Sequence, residues 1–314
     1  KHLHILSNNI RIKVVIEGFS QKYFDGACCR LSLWEGGNPN KPQMLLIHGM
    51  RDHALSLLGL AEHFSTDYHV FMMDLRGHGY SDNPGAYTMT QFVADLYALA
   101  QQFNLGKAVV VGHSLGGHIA SRFTAIYPEY VSTLVLLDGM GPPGMSASID
   151  DKTLVEHLRG GVQDALMLRA SGREMVSKDE ALDRLADNNP RLKEGTAKFL
   201  IEHGVETLVN GGVKWRWDPR MNMVWATFPG TQMEMLWGLI DCKVLIVTGD
   251  EAPAYWTNMR GEEAVDLAFY KSELTRRKTL FKFAENVVIE GSGHMLHFDQ
   301  PEKLKEVISK FLTR

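Results

Sequence analysis

Cysteine is scarce in this chain of 314 residues: there are three, Cys28, Cys29 and Cys242. The first two are adjacent and poorly placed to pair with each other, and the count is odd. A disulfide framework is therefore not expected, and a reducing, cytoplasmic setting is. No Cys or His residues recur at metal-binding spacing, so neither a metal nor a cofactor is expected. Charge of one sign is lacking too. Lys and Arg number 33 against 37 Asp and Glu, a formal net charge of −4, which leaves no basic footprint for nucleic acid or an anionic membrane. No stretch approaches the roughly 18 uncharged apolar residues of a membrane span. Repeats, low-complexity tracts and the apolar core of a signal peptide are not visible. The chain opens at Lys1 without Met, and a few native residues are expected to precede it.

What is present suits a globular protein. A hydrophobic share of 45% with 22% charged residues can fill a buried core, in one large domain or a domain with a sizeable insertion. Ile10, Ile12, Val14 and Ile16 alternate with polar or basic neighbours until Val15, the period of a half-buried strand. Residues 28–34 alternate again before the turn Glu35-Gly36-Gly37-Asn38-Pro39, so the two segments are expected to pair antiparallel at a sheet edge. Residues 44–47, 70–73, 109–111, 131–137 and 244–247 are instead apolar runs, as in central strands covered on both faces. A last strand is expected over 286–289. Helical spacing fills 56–64, 89–103, 118–125, 262–275 and 301–312. Regular alternation of strand and helix predicts an α/β chain with a parallel sheet and function at the strands' carboxyl ends.

The rhythm breaks after Gly139-Met140-Gly141-Pro142-Pro143-Gly144, a hinge-like run. Helical segments over 150–170, 178–188, 191–209 and 231–239 follow without intervening buried strands. Residues 141–240 are thus expected to form a helical cap on a core made of 1–140 and 241–314. Met221, Met223, Met233 and Met235, with Trp215, Trp217, Trp225 and Trp237, would build either the cap's own core or the apolar roof of a pocket.

The chemistry centres on Gly112-His113-Ser114-Leu115-Gly116, which is Gly-x-Ser-x-Gly between an apolar strand and a helix. In that context the serine sits at the apex of a strained turn with its hydroxyl exposed, a nucleophile's position. The following helix points free N–H groups and the positive end of its dipole at whatever Ser114 attacks.

Four features in order resemble the α/β-hydrolase fold family, and its capped, esterase-like serine hydrolases in particular, including serine-hydrolase-like and ring-cleavage-product hydrolase members. They are His48-Gly49, Asp74-Leu75-Arg76-Gly77-His78-Gly79-Tyr80-Ser81, Gly112-His113-Ser114-Leu115-Gly116-Gly117 and Gly291-Ser292-Gly293-His294. The resemblance covers about residues 10–138 and 243–312. It implies a mostly parallel eight-stranded sheet with helices on both faces and a helical cap inserted after the sixth strand. It also implies that His294, in its Gly-Ser-Gly loop, is the base for Ser114, because an imidazole can take and return a proton. His48, His78, His113 and His297 are read as structural or pocket-lining.

The acid that orients the base is the position where this chain departs from the family, which places it three residues past the glycine of the seventh strand. Here that residue is Ala252. Asp138, closing the sixth strand, is favoured; Asp250, or Glu251, in a shifted loop is the alternative. The oxyanion hole would be the backbone N–H groups of Leu115 and Met50. Arg76-Gly77-His78-Gly79 lacks a P-loop lysine and spacing, so nucleotide binding is not expected. The implied activity is hydrolysis of a small, apolar carboxylic ester, lactone or thioester through an acyl-enzyme. The alternatives are a carbon–carbon bond hydrolase of the ring-cleavage-product type and a ligand-binding receptor that retains the pocket. Dehalogenases and epoxide hydrolases of this fold use an Asp nucleophile, where this chain has Ser114. No particular oligomer is implied.

Overall fold

A computed structural model describes residues 16–141, 151–168, 172–225, 230–255 and 267–314. The chain begins with β1 (Phe19–Asp25), β2 (Arg30–Gly37), β3 (Gln43–Ile47), α1 (Leu58–Phe64) and β4 (His69–Met73). It continues with α2 (Met89–Gln102), β5 (Ala108–His113), α3 (Leu115–Ile126) and β6 (Val131–Leu137). After an insertion come β10 (Lys243–Gly249), α8 (Leu267–Lys278), β11 (Ala284–Ile289) and α9 (Pro301–Leu312).

The eight strands form one sheet in the order β1-β2-β4-β3-β5-β6-β10-β11. Only β2 runs antiparallel to its neighbours; every other pairing is parallel. Side chains alternate across this sheet, and both faces are apolar. Leu45, Ile47, Val110 and Leu136 pack with Phe92, Leu96 and Phe123 of α2 and α3. Met44, Leu46, Val111 and Leu137 pack with Leu60, Leu304 and Ile308 of α1 and α9. This double cover is why β5 has no exposed residue, as its unbroken apolar run predicts.

At the edge the structure differs from expectation. The strand expected over 10–16 lies, apart from Ile16, outside the described residues. The antiparallel partner of β2 is β1, in register from Phe19↔Gly36 to Asp25↔Arg30. An edge strand with polar residues at Ser20, Gln21 and Lys22 carries too weak an apolar pattern to be read ahead of Ile10–Ile16's alternation.

Between β6 and β10 lie α4 (Asp151–Met167), β7 (Glu174–Met175), α5 (Lys178–Asn188), α6 (Glu194–Gly204), β8 (Val205–Thr207), β9 (Val213–Trp215) and α7 (Gly230–Trp237). The expectation of helices alone is corrected here, because β7, β9 and β8 form a small antiparallel sheet. The helix read over 191–209 ends at Gly204, where Val205 turns to pair with Trp215. Strands of two and three residues are too short to show a period. Met175, Ala181, Ile201, Val205 and Val213 make a local core. Met221, Met233 and Trp237 are fully buried in the main core, where the Trp237 ring stacks on Phe281 at 5.2 Å. Among the described residues no helix is long and apolar enough to cross a membrane.

The 74–82 loop joins insertion and sheet. The Asp218 N–H donates to the Gly77 carbonyl at 2.8 Å, and the Tyr87 hydroxyl donates to Asp218 Oδ2 at 2.6 Å. Arg76 is fully buried and forks onto Asp95 of α2, Nε to Oδ2 at 2.6 Å and Nη2 to Oδ1 at 2.7 Å. Its Nη2 also reaches the Ala27 carbonyl, whose residue returns an N–H to Asp95 Oδ1. The guanidinium is spent inside the fold and offers nothing to a phosphate. Removing one partner strands a buried charge, so Asp95→Ala should destabilise the protein by about 3–5 kcal/mol in urea unfolding. A loss under about 1 kcal/mol would mean that water reaches the pair.

Candidate active site

β5 ends at His113, and Ser114 makes the turn into α3 at φ 49° and ψ −117°, a region that non-glycine residues rarely occupy. The turn is held by the Ser114 N–H donating to the Leu137 carbonyl at 3.0 Å and by the Gly117 N–H donating to the Ser114 carbonyl at 2.9 Å. Strand and helix approach so closely that a Cβ on Gly112 would meet the Gly116 carbonyl oxygen at 2.5 Å. Ser114 is 9% exposed at this apex. Leu115 is the first residue of α3, where backbone N–H groups have no partner within the helix.

The loop after β3 carries Met50. Its conformation is set by two neutral imidazoles whose tautomers follow from their partners. His48 Nε2 accepts the Leu75 N–H at 3.0 Å, so its Nδ1–H donates to the Gly49 carbonyl at 2.7 Å. His78 Nε2 accepts the Arg51 N–H at 3.1 Å, so its Nδ1–H donates to the Arg76 carbonyl at 3.0 Å. The Arg51 guanidinium lies 5.3 Å over Trp217 of the insertion and donates to Asn222 Oδ1.

Asp138 follows β6 directly, at φ 44°, with its N–H on the Val247 carbonyl of β10. His294 follows β11, which lies one strand beyond β10. The 291–293 segment closes that gap by crossing the end of β10, so tightly that a Cβ on Gly249 would meet the Ser292 carbonyl oxygen at 2.1 Å. The crossing brings His294 Nδ1 to 2.5 Å from Asp138 Oδ2, with both side chains at most 5% exposed. Asp250 does something else: its Oδ1 accepts the Ser292 N–H at 3.3 Å and buttresses the crossing segment. Glu251 pairs with Arg191.

Three side chains were missed in the sequence. The Tyr270 hydroxyl donates to Asp138 Oδ1 at 3.1 Å. Arg277 Nη1, two turns along the same buried face of α8, donates to the Met140 and Gly141 carbonyls at 2.6 and 3.0 Å. Tyr255 stacks on the His294 ring, centroids 4.0 Å apart and planes within 12°. The available signal was Arg277 itself, a cation at an inward helical position, which needs buried acceptors.

An eight-stranded sheet of this order, with a strand–serine–helix elbow after β5, is the α/β-hydrolase fold. A model of the alpha/beta hydrolase family matches residues 44–307, and the chain belongs to that family and so to the hydrolase class of enzymes. It is similar to the mouse (Mus musculus) serine hydrolase-like protein, 27% identical over 291 residues that cover 90% of this chain and 91% of the relative. It is also similar to epoxide hydrolase 1 of Caenorhabditis elegans, 23% identical over 305 residues, 96% of this chain and 72% of the relative. Among solved structures, the thioesterase domain from the curacin biosynthetic pathway superposes with a TM-score of 0.76 at 22% identity, covering 93% of this chain and 99% of that one.

Burial sets the charge of this region. It holds His78 down at about 4 and His118 at about 3, and keeps His48 well below the usual histidine value. It also pushes the Asp52 and Asp74 carboxyls up to about 7 and 6. The three imidazoles bind protons near pH 6.5 when unfolded and only well below that when folded, so their contribution is present above pH 6.5 and lost on acidification. The two carboxyls oppose this, since the fold keeps their protons longer than the unfolded chain does. Burial also holds down His53, His113 and His297, so the histidines outnumber the carboxyls and stability should fall by at least about 2 kcal/mol between pH 7 and pH 5, read from urea midpoints. An unchanged midpoint would mean that the lowered imidazoles do not outweigh the raised Asp52 and Asp74 carboxyls.

Proposed function

We propose that this chain is a serine hydrolase that cleaves a carboxylic ester, lactone or thioester through an acyl-enzyme on Ser114. The observation that carries this reading is the buried 2.5 Å contact of His294 Nδ1 with Asp138, on the same sheet edge as the Ser114 elbow. With Nδ1–H donated to the carboxylate, His294 keeps Nε2 as the basic nitrogen. Ser114 Oγ gives its proton to that nitrogen as it attacks the carbonyl carbon. The N–H groups of Leu115 and Met50 receive the developing oxyanion, and His48 and His78 hold the Met50 loop for that task. The imidazolium, stabilised by Asp138, protonates the leaving group. Water then gives a proton to His294 Nε2 as its oxygen attacks the acyl carbon; the bond to Ser114 Oγ breaks, Oγ takes the proton back from the imidazolium, and the carboxylic acid leaves. Tyr270 occupies the second carboxylate oxygen and fixes the orientation of Asp138. Residues 141–240 act as the lid that shapes the acyl pocket over a core of 1–140 and 241–314. The name of the mouse relative, a serine hydrolase-like protein, agrees with a serine nucleophile. The epoxide hydrolase relative does not favour its own chemistry here, because Ser114 stands where that reaction needs a carboxylate nucleophile.

A fluorophosphonate probe should label Ser114, and Ser114→Ala should abolish labelling and lower kcat on p-nitrophenyl esters by on the order of 10³ or more. Labelling that persists in the variant would remove Ser114 from the mechanism.

The two carboxylates separate in a second experiment. Asp138→Asn should cost about 10⁴ in kcat, because the amide favours the wrong imidazole tautomer. Asp250→Asn keeps an oxygen to accept the Ser292 N–H and should cost less than about tenfold. The reverse ordering would transfer the acid's role to Asp250.

A further inference from the structure

Beside the Ser114 elbow lies a cluster of polar side chains that the hydrolytic reading does not use. Asp52, His113 and His297 present ligand atoms that all lie within 4.8 Å of one another, with His297 Nε2 at 3.9 Å from Asp52 Oδ2. The His113 residue is 1% exposed and the His297 side chain 2%; Asp52, at 11%, is the member that reaches the surface. Neither ring nitrogen of His297 has a hydrogen-bond partner among the described residues, and neither has His113 Nδ1. Leaving such buried nitrogens unpaired is costly, and a single occupant would take up two of them, His113 Nδ1 and one nitrogen of His297.

The supporting contacts favour a metal ion. His113 Nε2–H donates to the His294 carbonyl at 3.0 Å, so Nδ1 carries a lone pair. Asp52 accepts the His53 N–H on Oδ1 at 2.8 Å and the Ser56 hydroxyl on Oδ2 at 2.7 Å. A histidine tied through its second nitrogen to a carbonyl, and a carboxylate held by hydrogen bonds, are how proteins orient metal ligands. We propose that Asp52, His113 and His297 form a binding site for a divalent transition-metal ion such as Zn²⁺, and that its occupation slows hydrolysis.

Two imidazoles and one carboxylate suit Zn²⁺, Co²⁺, Ni²⁺ or Cu²⁺, not Ca²⁺ or Mg²⁺. Bonds of about 2.0–2.1 Å in a tetrahedral site bring ligand atoms to about 3.3–3.4 Å, so the cluster contracts when it binds. Rotation of the imidazoles supplies the first part of that movement. The rest is transmitted to the backbone, because each ligand lies within three residues of a group of the hydrolytic site: Asp52 on the loop after β3, His113 at the end of β5 and His297 in the short helix Leu296–Asp299. Asp52 is two residues beyond Met50, His113 immediately precedes Ser114, and His297 is three residues beyond His294. His113 also grips the His294 carbonyl directly. The effect on turnover rests on the serine-hydrolase reading; the binding itself does not.

Chelator-treated full-length protein would be titrated with Co²⁺ and followed by visible d–d absorption, then with Zn²⁺ in competition. One Co²⁺ per chain with a nitrogen–oxygen ligand spectrum, displaced by one equivalent of Zn²⁺, is expected. Asp52→Asn and His297→Gln, checked for folding by thermal melting, should each weaken binding at least about a hundredfold. If one fails to fold, the other carries the comparison. Zn²⁺ should slow ester hydrolysis by the unaltered protein severalfold, reversibly with EDTA, and leave the rate of either variant unchanged. A protein that takes up no Co²⁺ overturns the site and leaves a bridging water as its occupant. Equal affinity in the variants also overturns it. Binding without a change in rate, or inhibition that survives in both variants, overturns the link to turnover.

Discussion

The passage of the 291–293 segment over the end of β10 is the constraint on which the site depends. β11 lies beyond β10, and Asp138 lies on the near side of it, after β6. An imidazole delivered by β11 meets Asp138 only if its loop crosses the intervening strand. Gly249 permits the crossing by having no Cβ, and Asp250 holds it by accepting the Ser292 N–H. The residue in the customary acid neighbourhood therefore supports the loop, and the carboxylate one strand over meets the histidine. Tyr270 and Arg277 then brace the far side of Asp138 and the carbonyls that follow it, so α8 sets the start of the insertion as well as the Asp138 carboxylate.

Around this contact, neutral buried groups serve as braces. His48 and His78 act as fixed-tautomer acceptors, and their burial keeps them in that form. The buried Arg76–Asp95 fork ties the 74–82 loop to α2, and the same loop receives the insertion through Gly77 and Tyr87. Sheet, loop and insertion are thus one packed unit at this point. The burial of Met221, Met233 and Trp237 in the main core has the same meaning: part of the insertion completes the core, whatever else it covers.

Family membership and local chemistry answer different questions. The alpha/beta hydrolase family and the sheet order establish a hydrolase. Relatives named as a serine hydrolase-like protein and as an epoxide hydrolase share that scaffold, since the fold accommodates several reactions at one strand edge. In this chain the residue at the elbow is Ser114.

The sequence by itself determined the layered α/β architecture, because short apolar runs such as 109–111 alternate regularly with helical spacing, and it marked the Ser114 elbow through the two glycines that a close strand–helix turn demands. Through its family resemblance it also limited the expected acid to Asp138, favoured, with Asp250 or Glu251 as the alternative. Only the tertiary structure decided which of them touches His294, because that depends on which strand a loop crosses, and no local period encodes a crossing. The same holds for β1, whose weak alternation is sustained by pairing with β2, and for β7, β8 and β9, which are too short to have a pattern of their own. Tyr270 and the grouping of Asp52, His113 and His297 were likewise out of reach of the sequence. Their partners lie far away in the chain, and long-range packing brings them together.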